Sequence, residues 1–183
     1  MINPAFLVEG SLEKKFIENA CPGSTVRSVI PNGIKVTLDA IAERIATHYR
    51  LLEKRHSPIV VVLDREGREM QWDEMKRQIL IKLKGHGITS IEIGICDRKI
   101  ENWIIADAEL FPEISNEDVS VIEGKRAIKM KLGEYHETTI GVELLKKANP
   151  INIKHRSPSF SDFYDTISNR IKCWWLRNAV SGQ

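Results

Sequence analysis

Residues 59–68 read IVVVLDREGR: five apolar residues, four of them β-branched, then Asp64, Arg65, Glu66 and Gly67. A continuous run of this kind marks a strand buried on both faces, as in a parallel sheet covered by helices on each side. Two acids one residue apart at the strand's end fit either a solvated turn or a cation site. The run alone does not decide between them.

Working outward, three more short runs have strand character: AFLV at Ala5–Val8, STVRSVI at 24–30 and IEIGI at 91–95. Helical spacing separates them. SLEKKFIENA follows the first run, Ile41, Ala42, Ile45, Tyr49 and Leu52 recur through Leu38–Leu52, and Met70, Met75, Ile79 and Leu83 through 69–84. Strands joined by helices of this length pair in parallel through crossovers. The expected fold class is therefore α/β, a central, mainly parallel sheet of about four strands flanked by helices.

IENWIIADAELF predicts a short helix just behind the fourth strand. GKRAIKMKL, GVELLKKAN and SFSDFYDTISNRI predict short helices packed at the side. One domain is expected over 1–183, with a core at about 4–111 and a helical C-terminal extension at about 112–183.

With 183 residues, 42% hydrophobic and 28% charged, the chain has the composition of a globular protein, and a net charge of +2 gives no whole-molecule pull on a polyanion. No apolar run approaches the roughly 20 residues of a membrane span. The start, MINPAFLVEG, shows no basic stretch of a signal peptide. Cys21, Cys96 and Cys173 form no C-x-x-C pair, so unpaired buried thiols and a cytoplasmic location are expected, without zinc. The phosphate-binding pattern G-x-x-x-x-G-K-[ST] is absent, so any ATP hydrolysis falls to a partner.

Ligands of an open parallel sheet bind outside the carboxyl ends of its strands. Three strands here end on acids: Glu9 with Glu13 one turn on, Asp64 with Glu66, and Asp97 with Glu101. Singly each has a structural explanation, Glu13 as a first-turn helix acid and Asp97 as a helix cap. Together, carboxylates at one sheet edge repel, and a divalent cation relieves that repulsion. Oxygen ligands without His or Cys favour Mg²⁺ or Mn²⁺, ions that serve phosphoryl transfer.

These motifs carry a resemblance. LVEGSLEKKF with the later acid-x-acid pair resembles the Toprim domain of topoisomerases, bacterial primases and OLD-type nucleases, and its second glutamate four residues on is most similar to the OLD branch. DRKIENWIIAD (97–107) and HRSPSFSDF (155–163) resemble the E-x-W-x-x-A-D and R-S-P-S-F segments of a Toprim-like bacterial family related to those nucleases. The likeness spans roughly residues 5–170. It implies a Toprim-like, Rossmann-like fold and a Mg²⁺- or Mn²⁺-dependent nuclease acting on DNA or RNA. Phage-defence or mobile-element settings are implied too, with an ATPase as partner in some members.

Carried over, the resemblance makes Glu9 the catalytic acid or a metal ligand and Glu13 a second ligand. Asp64 and Glu66 hold metal and Glu101 completes the site. The chain departs from the usual Asp-x-Asp at Glu66, whose side chain is one methylene longer. A non-catalytic interaction module on the same scaffold, working with an ATPase, is the alternative.

Among the cations, Arg65, Arg68 and Arg98 flank the acidic strand ends, where a scissile phosphate would lie. Lys154, His155 and Arg156 are expected in a basic loop ahead of a helix capped by Ser159, a phosphate grip. Lys125, Arg126, Lys129 and Lys131 read first as a solvated helix face. Trp103 reads as core. Trp174 and Trp175 read either as a docking surface for a second copy, making a homodimer, or as a cover over the sheet edge, with the cover preferred.

Overall fold

The chain was analysed as a computed structural model that describes residues 3–31, 33–171 and 173. Four strands form one sheet: β1 (Ala5–Val8), β2 (Thr25–Ser28), β3 (Ile59–Asp64) and β4 (Glu92–Cys96), in the order β2-β1-β3-β4, every pair parallel. Helices α1 (Ser11–Ala20), α2 (Leu38–Leu52) and α3 (Trp72–Gly85) connect them, and α4 (Ile100–Ile105) follows β4. The expected α/β architecture is what the chain adopts.

All six residues of β3 are buried, because it lies between β1 and β4 and is covered on both faces. Alternate side chains divide between two cores. Val61 and Leu63 pack with Leu7, Ile41, Ile45, Met75, Ile79 and Leu83 under α2 and α3. Val60 and Val62 face the other way, toward Phe6, Val8, Phe16, Trp103 and Phe160. The continuous apolar run is thus two half-runs, one for each helical layer.

The second layer is completed by the chain beyond 111. After a 3-10 turn at Pro112–Ile114 come α5 (Gly124–Leu132), a π turn at Glu137–Gly141, α6 (Val142–Lys147), α7 (Pro150–Arg156) and α8 (Pro158–Ile167). Leu145, Ile153, Phe160, Phe163 and Ile167 enter the same core as β1 and β3. Trp103, expected as core, is buried and stacks on Phe163 at 5.4 Å while meeting Phe160 edge-on at 5.1 Å. Gly94 of β4 makes this possible, because a Cβ there would overlap the Phe163 ring.

Two local expectations are corrected. Residues 154–156 are the last turn of α7, not a loop: the Asn149 side chain accepts from the Ile151 N–H, Pro150 occupies the first turn, and Asp107 accepts the Asn149 N–H at 2.7 Å. The cap of α8 is Ser157, whose Oγ accepts from the Phe160 N–H at 3.2 Å; Ser159 is already inside the helix.

The cysteine expectation fails for two of three. Cys21 and Cys173, 152 positions apart, are joined in a disulfide with Cα atoms 4.6 Å apart, while Cys96 is a buried free thiol. Return of the chain's end to the C-terminus of α1 creates the pair, and no local spacing announces it. Trp174 and Trp175 lie outside the described residues. Among the described residues, no helix is long and apolar enough to cross a membrane.

Candidate metal centre

Parallel pairing aligns the strand ends. Val8 is level with Val62, so Glu9 emerges beside the end of β3, and the Asp64 N–H donates to Glu9 Oε2 at 3.0 Å. The Ser28 hydroxyl donates to the Glu9 carbonyl at 2.7 Å, tying the tip of β1 to β2. Glu66 lies on the turn after β3. Carboxylate oxygens of Glu9, Asp64 and Glu66 lie within 4.8 Å of one another.

Backbone conformation holds Glu66 there. Its φ of 61° is left-handed, uncommon for any residue with a side chain. Its N–H donates to the Arg98 carbonyl at 2.7 Å, and the Lys99 ammonium lies 3.4 Å from its carboxylate. A strained conformation held this way at a cluster of like charges is where function tends to be found.

Two further acids stand behind the three. Glu13 is only 4% exposed, and its Oε2 is buried without a hydrogen-bond partner. The Glu-Gly motif explains its place, because a Cβ on Gly10 would stand 2.5 Å from that Oε2. Glu101, 1% exposed, accepts the Tyr135 hydroxyl at 2.9 Å and has the Lys125 ammonium 3.8 Å away, on the same Oε1.

The electrostatics follow from burial. Asp64 is pushed well above the carboxylate range, first by burial, then by the charges of Glu9, Glu13, Glu101 and Glu66. Burial, with repulsion from Glu9 and Glu101 added, lifts Glu13 to about 7. Burial also raises Glu101, against the pull of Lys125. Lys125 loses by desolvation and gains more from Glu137 and Glu101, ending above its ordinary value. One field joins all five acids, although only three come within mutual ligand distance.

The expected cations are placed differently from one another. Arg65 donates to the carbonyls of Asp97, Arg68 and Met70, and Arg68 is buried with its guanidinium on the carbonyls of Gly33 and Val36. Arg98 reaches the Val121 carbonyl at 3.2 Å. Lys154 pairs with Asp165, His155 is exposed, and Arg156 binds the carbonyls of Ile105, Ala106, Ile114 and Glu117. The contacts of Lys154 and Arg156 are thus to α8, the far end of α4 and the chain after it.

Asp97 does not cap α4, which begins after Lys99. Its buried carboxylate accepts the hydroxyls of Ser157 at 3.0 Å and Ser159 at 3.1 Å, and the Trp103 indole N–H donates to Ser159 Oγ at 2.9 Å. The D…W…S-P-S-F segments are therefore one buried polar network locking α8 onto β4.

The sequence does not announce Tyr135 or Glu137, and Lys125 reads there first as part of a solvated helix face. Only Lys125 had a signal, the glycine before it: a Cβ on Gly124 would stand 2.8 Å from the Glu101 backbone, so α5 starts in contact with α4.

No family model matches the chain, and no curated protein matches it. A solved structure, described as the C-terminal region of the Xanthomonas campestris pv. campestris OLD protein, is similar at 14% identity and a TM-score of 0.36, over 97% of this chain and 92% of that one. Fold and site together define an α/β protein with an all-parallel four-stranded sheet and an acidic cluster, able to hold a cation, at its carboxyl edge.

Proposed function

We propose that the protein is a metal-dependent phosphodiesterase of Toprim type that cleaves DNA or RNA. The observation that carries this is the convergence of Glu9, Asp64 and Glu66 to within 4.8 Å at the ends of two adjacent parallel strands. The donor set suits Mg²⁺ or Mn²⁺: it is all oxygen and anionic, and the buried Glu13 Oε2 lacks a partner. When bound, the ion supplies charge neutralisation and a polarised phosphate or water.

The chain's own residues do the rest. Glu9, Asp64 and Glu66 hold the ion, with Glu13 and Glu101 behind them. The Asp64 N–H donates to Oε2 of Glu9 and so orients that carboxylate at the strand ends. Arg65, Arg68 and Arg156 have guanidinium groups engaged by main-chain carbonyls. Arg98, Lys99 and Lys125, the last two already beside Glu66 and Glu101, are the cations we assign to the substrate phosphate, with Lys154 and His155 as outlying contacts along the backbone.

A second reading has its own support. Asp64, Glu13 and Glu101 are only 6%, 4% and 1% exposed, which leaves Glu9 and Glu66 as the acids open to a large substrate. That suits a non-catalytic module that binds a cation and works with an ATPase partner. Incubating plasmid DNA and structured RNA with the protein in Mg²⁺ or Mn²⁺, beside Glu9→Ala and Asp64→Ala, separates the two. Cleavage lost in both variants supports the nuclease. Metal binding without cleavage supports the module, and full cleavage by either variant overturns the nuclease assignment.

A further inference from the structure

Resting on the metal-site reading above, we infer that Tyr135 is a positioning residue, setting the orientation of the Glu101 carboxylate for the cation. Tyr135 stands between α5 and the π turn, far in sequence from every acid of the site, yet its hydroxyl donates to Glu101 Oε1 at 2.9 Å.

The approach is built rather than incidental. Gly141 closes the π turn, and a Cβ there would stand 2.6 Å from the Tyr135 hydroxyl and 3.1 Å from Leu12. The turn therefore leaves room for the phenol and presses it toward α4. On the other side, Gly124 brings α5 against the Glu101 backbone, so Lys125 reaches the same Oε1 at 3.8 Å while pairing with Glu137. One oxygen of Glu101 is thus held by a neutral donor and a cation, each admitted by a glycine.

Chemistry distinguishes the two. Lys125 is itself a counter-charge, competing with any metal for Glu101. The Tyr135 hydroxyl fixes one oxygen of the carboxylate without adding a counter-charge. Glu101 stands behind the three acids that come within ligand distance, and outer-shell partners of a metal site typically change its affinity by about 10- to 100-fold when removed.

The test is Mn²⁺ titration by calorimetry, with thermal melting of the metal-free protein alongside, on wild type, Tyr135→Phe, Glu101→Gln, the double variant and Glu9→Gln. Phenylalanine keeps the ring's packing. We expect Tyr135→Phe to weaken Mn²⁺ binding about tenfold in a protein that still melts cooperatively without metal, and to add nothing in the Glu101→Gln background. Wild-type Mn²⁺ affinity in Tyr135→Phe, with affinity lost in Glu9→Gln, overturns the role of Tyr135 and leaves the metal site standing. An equal loss in the Glu101→Gln background overturns action through Glu101. No Mn²⁺ binding by the wild type, or undiminished binding by Glu9→Gln, overturns the metal reading itself.

Discussion

The backbone N–H of Asp64 donates to the carboxylate of Glu9 at 3.0 Å, so the acid ending β1 is fixed by the main chain that ends β3. Two strands 50 residues apart in the chain thereby share one acidic edge. The hydrogen bond orients the Glu9 carboxylate, while burial and four neighbouring acids push Asp64 toward protonation. A cation reverses that second effect, and the measurable consequences start there.

Asp64→Asn removes the most strained charge and keeps the shape. At pH 8 the metal-free variant should be more stable than wild type, on the order of 1–3 kcal/mol, because a buried carboxylate repelled by its neighbours becomes a neutral amide. It should also lose the rise in melting temperature that the proposed metal site predicts for the wild type in Mn²⁺. A variant less stable than wild type and still stabilised by Mn²⁺ would show that Asp64 is not under electrostatic strain.

Glu13 gives the metal-free protein a pH dependence whose sign is fixed. Its folded-state pKa of about 7 lies above the ordinary 4.5, so the folded state holds the proton more tightly than the unfolded chain. The stability it contributes is complete below about 4.5 and is lost as pH rises through about 7. The total is roughly 3 kcal/mol at about 1.4 kcal/mol per unit. Urea midpoints measured from pH 4 to 8 should fall across this window, less steeply in Glu13→Gln. On the proposed metal reading, Mn²⁺ should protect increasingly with pH, because a cation favours ionised carboxylates. A midpoint that rises from pH 5 to 8 without metal contradicts this.

Glu66 combines a left-handed backbone with a carboxylate in the cluster. Glycine adopts that conformation without penalty, so Glu66→Gly should gain about 1 kcal/mol in urea unfolding while weakening Mn²⁺ binding. Stability and affinity moving in opposite directions marks a residue kept for function. If both fall together, the side chain is structural.

Ser159→Ala tests the network behind the site. It leaves the Trp103 indole N–H buried without its acceptor and removes one donor from Asp97, which should cost about 1–3 kcal/mol. Mn²⁺ affinity, read by calorimetry well below the melting temperature, should be unchanged. A tenfold loss of affinity would make the network part of the metal centre.

Much of this was legible in the chain. IVVVL announced a strand covered on both faces, and the alternation of apolar runs with helical spacing gave four parallel strands. Parallel topology then placed Glu9, Asp64 and Glu66 at one edge, because every strand points the same way. Trp103 read correctly as core. The basic segment at 154–156 did not read correctly as a loop, since the Asn149 cap and the Asp107 carboxylate that start α7 act from outside it.

What the sequence determined by itself was the set of elements and the edge on which the acids end, because period and chain direction are local properties. Tertiary structure decided which groups meet there. Cys21 finding Cys173, Tyr135 finding Glu101 and Arg68 turning inward to Gly33 and Val36 all depend on how the chain after each strand folds back. Close approach of that kind is set by packing over the whole molecule, and Gly10, Gly124 and Gly141 show it only once their neighbours are known.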